Sequence, residues 1–200
     1  MAKKCYHGSQ KSFDCFNLDF AGEATGTKFG YGVYLTDVEK SAVHYSQPRN
    51  VPLEDVPNHY LYTVEIPDLT PENHLISNQP VEPVILAKVE KKLGKTAPAE
   101  IIGKEFRKWV GMTLLGLDKL KTSSEKFEAE KKAAEFFDSI GVFYNVWPNA
   151  QKAGMTAQSI REGNKNIAVF NAKRIKIVKK ESIDVTLKCG KYVLVNREEI

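Results

Sequence analysis

Two hundred residues, 42% of them hydrophobic and 27% charged, are enough to bury a real core as one domain and too rich in core-forming side chains for wholesale disorder. The net charge of +4, from 29 basic and 25 acidic side chains, is too small to point to nucleic acid, and no apolar run is long enough to span a bilayer. Cys5, Cys15 and Cys189 form no CxxC or Cys/His spacing suited to zinc, and the N-terminus lacks the apolar stretch of a secretory signal, so reduced thiols in a cytoplasm are expected.

The first predicted strand is KKCYHG, residues 3 to 8, ending at His7 and Gly8. Phe13, Phe16, Leu18 and Phe20 are the apolar points of the segment after it. Ala21 to Gly32, AGEATGTKFGYG, is glycine-rich and polar and predicts a mobile surface loop. In the stretch GYGVYLTDVEKSAVHYS, Val33, Tyr34 and Leu35 suit a buried strand. Thr36 and Glu39 have the spacing of a capping box, which predicts a helix carrying Ala42 and Tyr45 and a convergence of Tyr34 with Tyr45. The bland alternative is a glycine turn followed by two core tyrosines. SQPRNVPLEDVPN is broken by prolines, HYLYTVEI (59 to 66) alternates as a strand should, and PDLTPEN makes a turn. His44 reads as helix surface, while His59 and His74 fall in loop-like sequence without an evident partner.

From Pro80 to about Ile140 the apolar residues recur at helical spacing. Ile102, Phe106, Trp109 and Val110 mark one face of a helix starting near Thr96, with Pro98 in its first turn. A second helix starts near Thr122, where Thr122 and Glu125 form another candidate capping box, and runs through Phe127, Ala134 and Phe137 to Ile140. Phe106, Trp109 and Phe137 read as core. Strand signals return in GVFYNV (141 to 146), NIAVFN (166 to 171), RIKIVK (174 to 179) and KYVLVN (191 to 196), with the polar loop WPNAQKAGMTAQSIREGNK between the first two. Lys173, Arg174, Lys176, Lys179 and Lys180 give one of these strands a basic face, read as a solvated outer face, with attraction of a pyrophosphate or an acidic partner protein as the alternative. Strands at both ends with helices gathered in the middle predict an α+β domain on a mostly antiparallel sheet in two packed halves.

YHGS at Tyr6 to Ser9, GYGVYLT at Gly30 to Thr36, SAVHYS at Ser41 to Ser46 and NIAVFNAKRIKIV from Asn166, in that order, resemble the His-Tyr-Glu branch of the ADP-ribosyltransferase superfamily. That branch includes diphtheria toxin and the poly(ADP-ribose) polymerases, and the chain is most similar to the small transferase domains of bacterial toxins, phages and mobile elements. The resemblance covers roughly residues 3 to 66 and 141 to 179. It implies a split antiparallel β-sheet core in one domain over residues 1 to 200, with the helices of about 80 to 140 as an insertion. It also implies NAD as the substrate, mono-ADP-ribosylation of a protein acceptor, no metal, no membrane or nucleic-acid partner, and a place in the cytoplasm of the producing or a target cell. An inactive NAD-binding or partner-binding pseudoenzyme and an NAD glycohydrolase are the alternatives.

Moving ADP-ribose means breaking the bond between nicotinamide and ribose through a transition state with cationic charge spread over the ring. A site for it must hold the nicotinamide, orient the ribose and set negative or dipolar groups near the developing cation. The resemblance assigns His7 to the ribose, the backbone of Gly8 to the nicotinamide carboxamide, and Tyr34 and Tyr45 to a sandwich about the nicotinamide ring. Ser9 is a candidate contact that can instead cap a turn. Ser41 is a candidate for the carboxamide, although many relatives carry that serine three residues before the second tyrosine, where this chain has Ala42. The family's glutamate, which opens the late strand and activates the nucleophile, is replaced by Asn166, which can orient a hydroxyl and cannot act as a base. Glu162, four residues earlier, either swings in as the acid or is loop surface.

Overall fold

The computed structural model describes residues 2–21, 27–48, 50–150 and 154–200. Its elements run β1 (Ala2–Ser9), β2 (Val33–Thr36), α1 (Glu39–Tyr45), β3 (Tyr60–Pro67), β4 (His74–Ile76), α2 (Pro83–Leu93), α3 (Gly103–Leu115), α4 (Ser123–Ser139), β5 (Tyr144–Pro148), α5 (Ala157–Glu162), β6 (Lys165–Val169), β7 (Lys176–Lys188) and β8 (Lys191–Glu199). The eight strands lie in the order β4-β5-β6-β2-β1-β3-β7-β8, with only the β4–β5 pair parallel. This is the expected α+β architecture.

What positions the site is the join between β2 and β1. β3 pairs with β1 from Ala2 to Ser9, whereas β2 meets β1 at one register pair, Tyr6 and Thr36. Beyond that pair the two strands part, so the sheet divides into a β4-β5-β6-β2 lobe and a β1-β3-β7-β8 lobe. Both lobes still bury one face in a common core: Cys5, Val64 and Ile66 from one, Val33, Leu35, Val146 and Ile167 from the other. Helices α2, α3 and α4 enclose a second core around Ile85, Phe106, Val110 and Phe137, which Leu75, Val142 and Phe170 enter from the sheet side. α1 forms a third by setting Ala42 and Val43 on Leu61 and Ile183.

The capping box of α4 is present: Thr122 Oγ1 accepts from the Glu125 N–H at 3.1 Å and Glu125 accepts from the Thr122 N–H at 2.9 Å. The box expected at α1 is not. Val38 precedes that helix without a side-chain cap, and Thr36 Oγ1 instead accepts from the Val38 N–H and lies 3.3 Å from the Lys165 carbonyl, to which it donates. The helix expected from Thr96 is also corrected. α2 has a proline in its first turn and ends at Gly94 in the left-handed conformation (φ 65°), and α3 begins only at Gly103, leaving Pro98 in the connection. The segment expected to be a mobile loop, Ala21 to Gly32, contains residues 22–26, which lie outside the described residues; so do 151–153 of the later polar loop, whose remainder holds α5.

His59 and His74, expected to lack partners, have them, and His44, expected on the helix surface, is half-buried against β8. His44 accepts from the Tyr192 N–H and packs on that ring, His59 is buried with Nδ1 beside Ser46, and His74 sits in β4. His74 Nδ1 donates to the Thr70 carbonyl at 2.6 Å and its Nε2 accepts from Arg161 Nε at 3.3 Å. Burial lowers the His74 pKa to about 4, and the Arg161 guanidinium works in the same direction.

Candidate active site

Where β1 leaves β2, the His7 side chain spans the gap. Its Nδ1 lies 2.8 Å from the Tyr34 carbonyl oxygen. A carbonyl can only accept, so Nδ1 carries the proton and Nε2 is left with its lone pair as an acceptor. Burial pushes the imidazole pKa below its ordinary value, which keeps the ring neutral and that lone pair available at pH 7. The ring is held by Phe16, edge-on at 5.1 Å, and by Phe13, which stacks on Tyr62 at 4.2 Å.

Gly8 serves the helix beside it. A Cβ there would lie 1.9 Å from the Ala42 carbonyl oxygen and 2.8 Å from the Ser46 nitrogen, so only a glycine lets α1 rest on β1 this closely. Ser9 Oγ accepts from the Lys11 N–H at 3.0 Å, the arrangement of a turn cap. On α1, Ser41 and Tyr45 are four residues apart and share a face, and the Tyr45 ring lies 5.5 Å from that of His44, which also packs on Tyr192 of β8. Ser41 Oγ donates to Asn149 Oδ1 at 3.2 Å, tying the helix to the end of β5. Tyr45 is half-exposed at 50%.

Tyr34, Asn166 and Trp147 share one face of the other lobe. Tyr34 is opposite Ala168, Asn166 is opposite Thr36 on one side and Trp147 on the other, and side chains two apart along a strand point the same way. The Tyr34 hydroxyl donates to the Gly30 carbonyl at 2.9 Å and accepts from the Phe29 N–H at 3.1 Å, and its ring meets Trp147 edge-on at 5.4 Å. Burial pushes its pKa up to about 12, so it stays a neutral phenol. A family model for the ADP-ribosyltransferase of polyvalent proteins matches residues 1–185. The chain belongs to that family. It is an ADP-ribosyltransferase-superfamily member of the phage and mobile-element type. No curated protein and no solved structure matches it.

ADP-ribosyltransferases take NAD as their substrate. Asn166, expected from the resemblance to replace the family's glutamate, lies in β6 and is 6% exposed. Glu162 is exposed at the end of α5, accepting from Gln158 Nε2 at 2.8 Å, while its neighbour Arg161 anchors the helix on Glu82 and His74. Asp37, just past β2, bonds the Lys165 N–H at 2.7 Å and meets Lys3 Nζ and Lys165 Nζ at 3.3 and 3.1 Å. Among the described residues no group of three His, Cys, Asp or Glu could hold a metal, and no helix is long and apolar enough to cross a membrane. The sequence reading missed Trp147, Asn149 and Asp37. Trp147 and Asn149 lie in WPN, which reads as loop, and only the pairing of β5 with β6 brings Trp147 beside Asn166.

Proposed function

We propose that this ADP-ribosyltransferase-family protein cleaves NAD and transfers a single ADP-ribose to a protein acceptor. The observation that carries the reading is the parting of β1 from β2 with His7 fixed across the gap by the Tyr34 carbonyl. His7 Nε2 accepts a hydrogen bond from a ribose hydroxyl, and the Gly8 backbone receives the carboxamide. The nicotinamide ring lies between Tyr34 and Tyr45. Asn166 orients a ribose hydroxyl.

In the reaction the bond from ribose C1′ to the nicotinamide nitrogen breaks, and nicotinamide leaves with the electron pair. A nucleophile of the acceptor bonds C1′. Asn166 carries no charge to stabilise the ring cation or to deprotonate a nucleophile, which favours an acidic acceptor that is already ionised and disfavours chain elongation. The same asparagine supports the second reading, an NAD-binding pseudoenzyme, and a glycohydrolase needs only the same cleft with water as the nucleophile.

Labelled NAD incubated with the protein and a lysate tests this. Transfer predicts a discrete labelled band, released by neutral hydroxylamine as a carboxylate ester would be, and lost with His7→Ala or Tyr34→Ala. Nicotinamide release without a labelled band would mean hydrolysis, and unchanged NAD would mean a pseudoenzyme.

A further inference from the structure

We propose that Arg107 of α3 is a positioning residue for the nicotinamide side of the site, bracing residues 28–30, the stretch that anchors the Tyr34 hydroxyl; the inference rests on the function proposed above. The backbone of these three residues is gripped from several directions. Phe29 N–H and the Gly30 carbonyl both bond the Tyr34 hydroxyl, and Asn145 Nδ2 of β5 donates to the Phe29 carbonyl at 2.8 Å. The Phe29 ring lies flat on Trp147, 4.2 Å between centroids. Arg107 is the arm from the helices, with Nη2 reaching the Lys28 carbonyl at 3.5 Å.

The packing makes room for that arm. Gly30 has φ +106°, a conformation closed to most side chains, and a Cβ there would stand 3.2 Å from Arg107 Nε. Gly111 lets α3 approach α4 so closely that a Cβ would come within 2.3 Å of the Ala129 carbonyl oxygen. That approach brings Arg107 Nε to 3.1 Å from Glu130 Oε2, with the guanidinium side chain 1% exposed. Nη1 is buried with no hydrogen-bond partner among the described residues.

Stability alone gives a poor account of this arrangement. A buried ion pair rarely outperforms apolar side chains of equal volume, and an unpartnered guanidinium nitrogen adds to its cost. The pair does set the height of residues 28–30 above the helices. Through two hydrogen bonds to one hydroxyl, that height sets the tilt of the Tyr34 ring.

The test uses the whole chain in a Trp109→Phe background, so that Trp147, stacked on Phe29, is the sole fluorophore of its kind. Arg107→Met with Glu130→Leu replaces the ion pair by apolar groups, and Arg107→Lys keeps a charge for Glu130 while removing the second arm. Both are expected to keep the parent melting temperature to within a few degrees. Both should move Trp147 emission to longer wavelength with easier acrylamide quenching. KM for NAD should rise about fivefold, with kcat for nicotinamide release changing less. Wild-type emission and KM in a folded Arg107→Lys protein would overturn the proposal, whether or not the double variant folds. The Trp147 measurement needs no turnover, so an inactive parent protein would refute the assigned reaction while the spectra still decide the brace.

Discussion

Gly8→Ala probes the contact on which the site's assembly depends most. The added Cβ would start 1.9 Å from the Ala42 carbonyl oxygen, so α1 must retreat by about an ångström to reach even 3.0 Å, the shortest separation such atoms tolerate. The helix cannot simply tilt away, because Ala42 and Val43 are packed on Leu61 and Ile183. Overpacking of this kind costs about 1–3 kcal/mol, which in a chain of this length lowers Tm by roughly 2–12 °C. The functional loss should be larger than the stability loss suggests. Ser41 and Tyr45 ride on α1, and an ångström of misplacement in a reacting assembly costs on the order of 100-fold in kcat/KM. Circular dichroism melting, NAD calorimetry and nicotinamide release measure the three effects. Gly94→Ala is the control: its Cβ would meet nothing within 4 Å, its φ of 65° makes the substitution strained, and it lies far along the chain in α2's cap, so Tm should fall while NAD binding stays. A Gly8→Ala protein with parental Tm and NAD affinity would show that α1 shifts freely on β1, and the argument for a rigid carrier of Ser41 and Tyr45 would fail.

Asn166→Glu is expected to raise nicotinamide release at least about tenfold by supplying the missing charge; unchanged release would place the catalytic position elsewhere than on β6. Stability should also fall in acid. His74 has a folded-state pKa of about 4 against about 6.5 unfolded, so its contribution is complete above pH 6.5 and disappears as pH falls toward 4, in total about 3 kcal/mol. Urea unfolding at a series of pH values should show that slope, and His74→Asn, whose amide can still donate to the Thr70 carbonyl, should flatten it; equal slopes would contradict the assignment. Thr122→Ala removes the acceptor for the Glu125 N–H and should cost about 1 kcal/mol in the same assay with NAD binding unchanged.

What could be read from the sequence is what neighbouring residues decide together. β3 and α4 are plain in it because an alternating run and a capping box each occupy one short stretch. Thr36 looked like half of another such box, yet its hydroxyl donates to Lys165, a partner 129 positions away that no local pattern reveals. β4 has only three residues, too few to show a period, and exists as a strand because β5 runs beside it. Placing Tyr34, Trp147 and Asn166 on one face likewise needs the register of three strands, which no local pattern carries. In the sequence Gly8 suggests the close approach of a ligand, while its tightest neighbour is the protein's own helix.

The location of negative charge links the fold to the chemistry. Asp37 directly follows Thr36, the residue facing Asn166 across the strands. Both of its oxygens are engaged, Oδ1 by the Lys165 N–H and Oδ2 by Lys3 and Lys165. Lys165 is 4% exposed, so freeing Asp37 would strand an ammonium group away from water at a cost of several kcal/mol. That knot also joins β1 to β6 across the point where β1 and β2 share a single register pair. The sheet therefore parts between β1 and β2 while this aspartate keeps it closed at its root. An acid fixed in this role cannot serve the ribose. On the proposed reading the charge that steadies the ring cation comes from the carboxylate of the acceptor itself, with Glu162, held among the described residues by Gln158, as the alternative source.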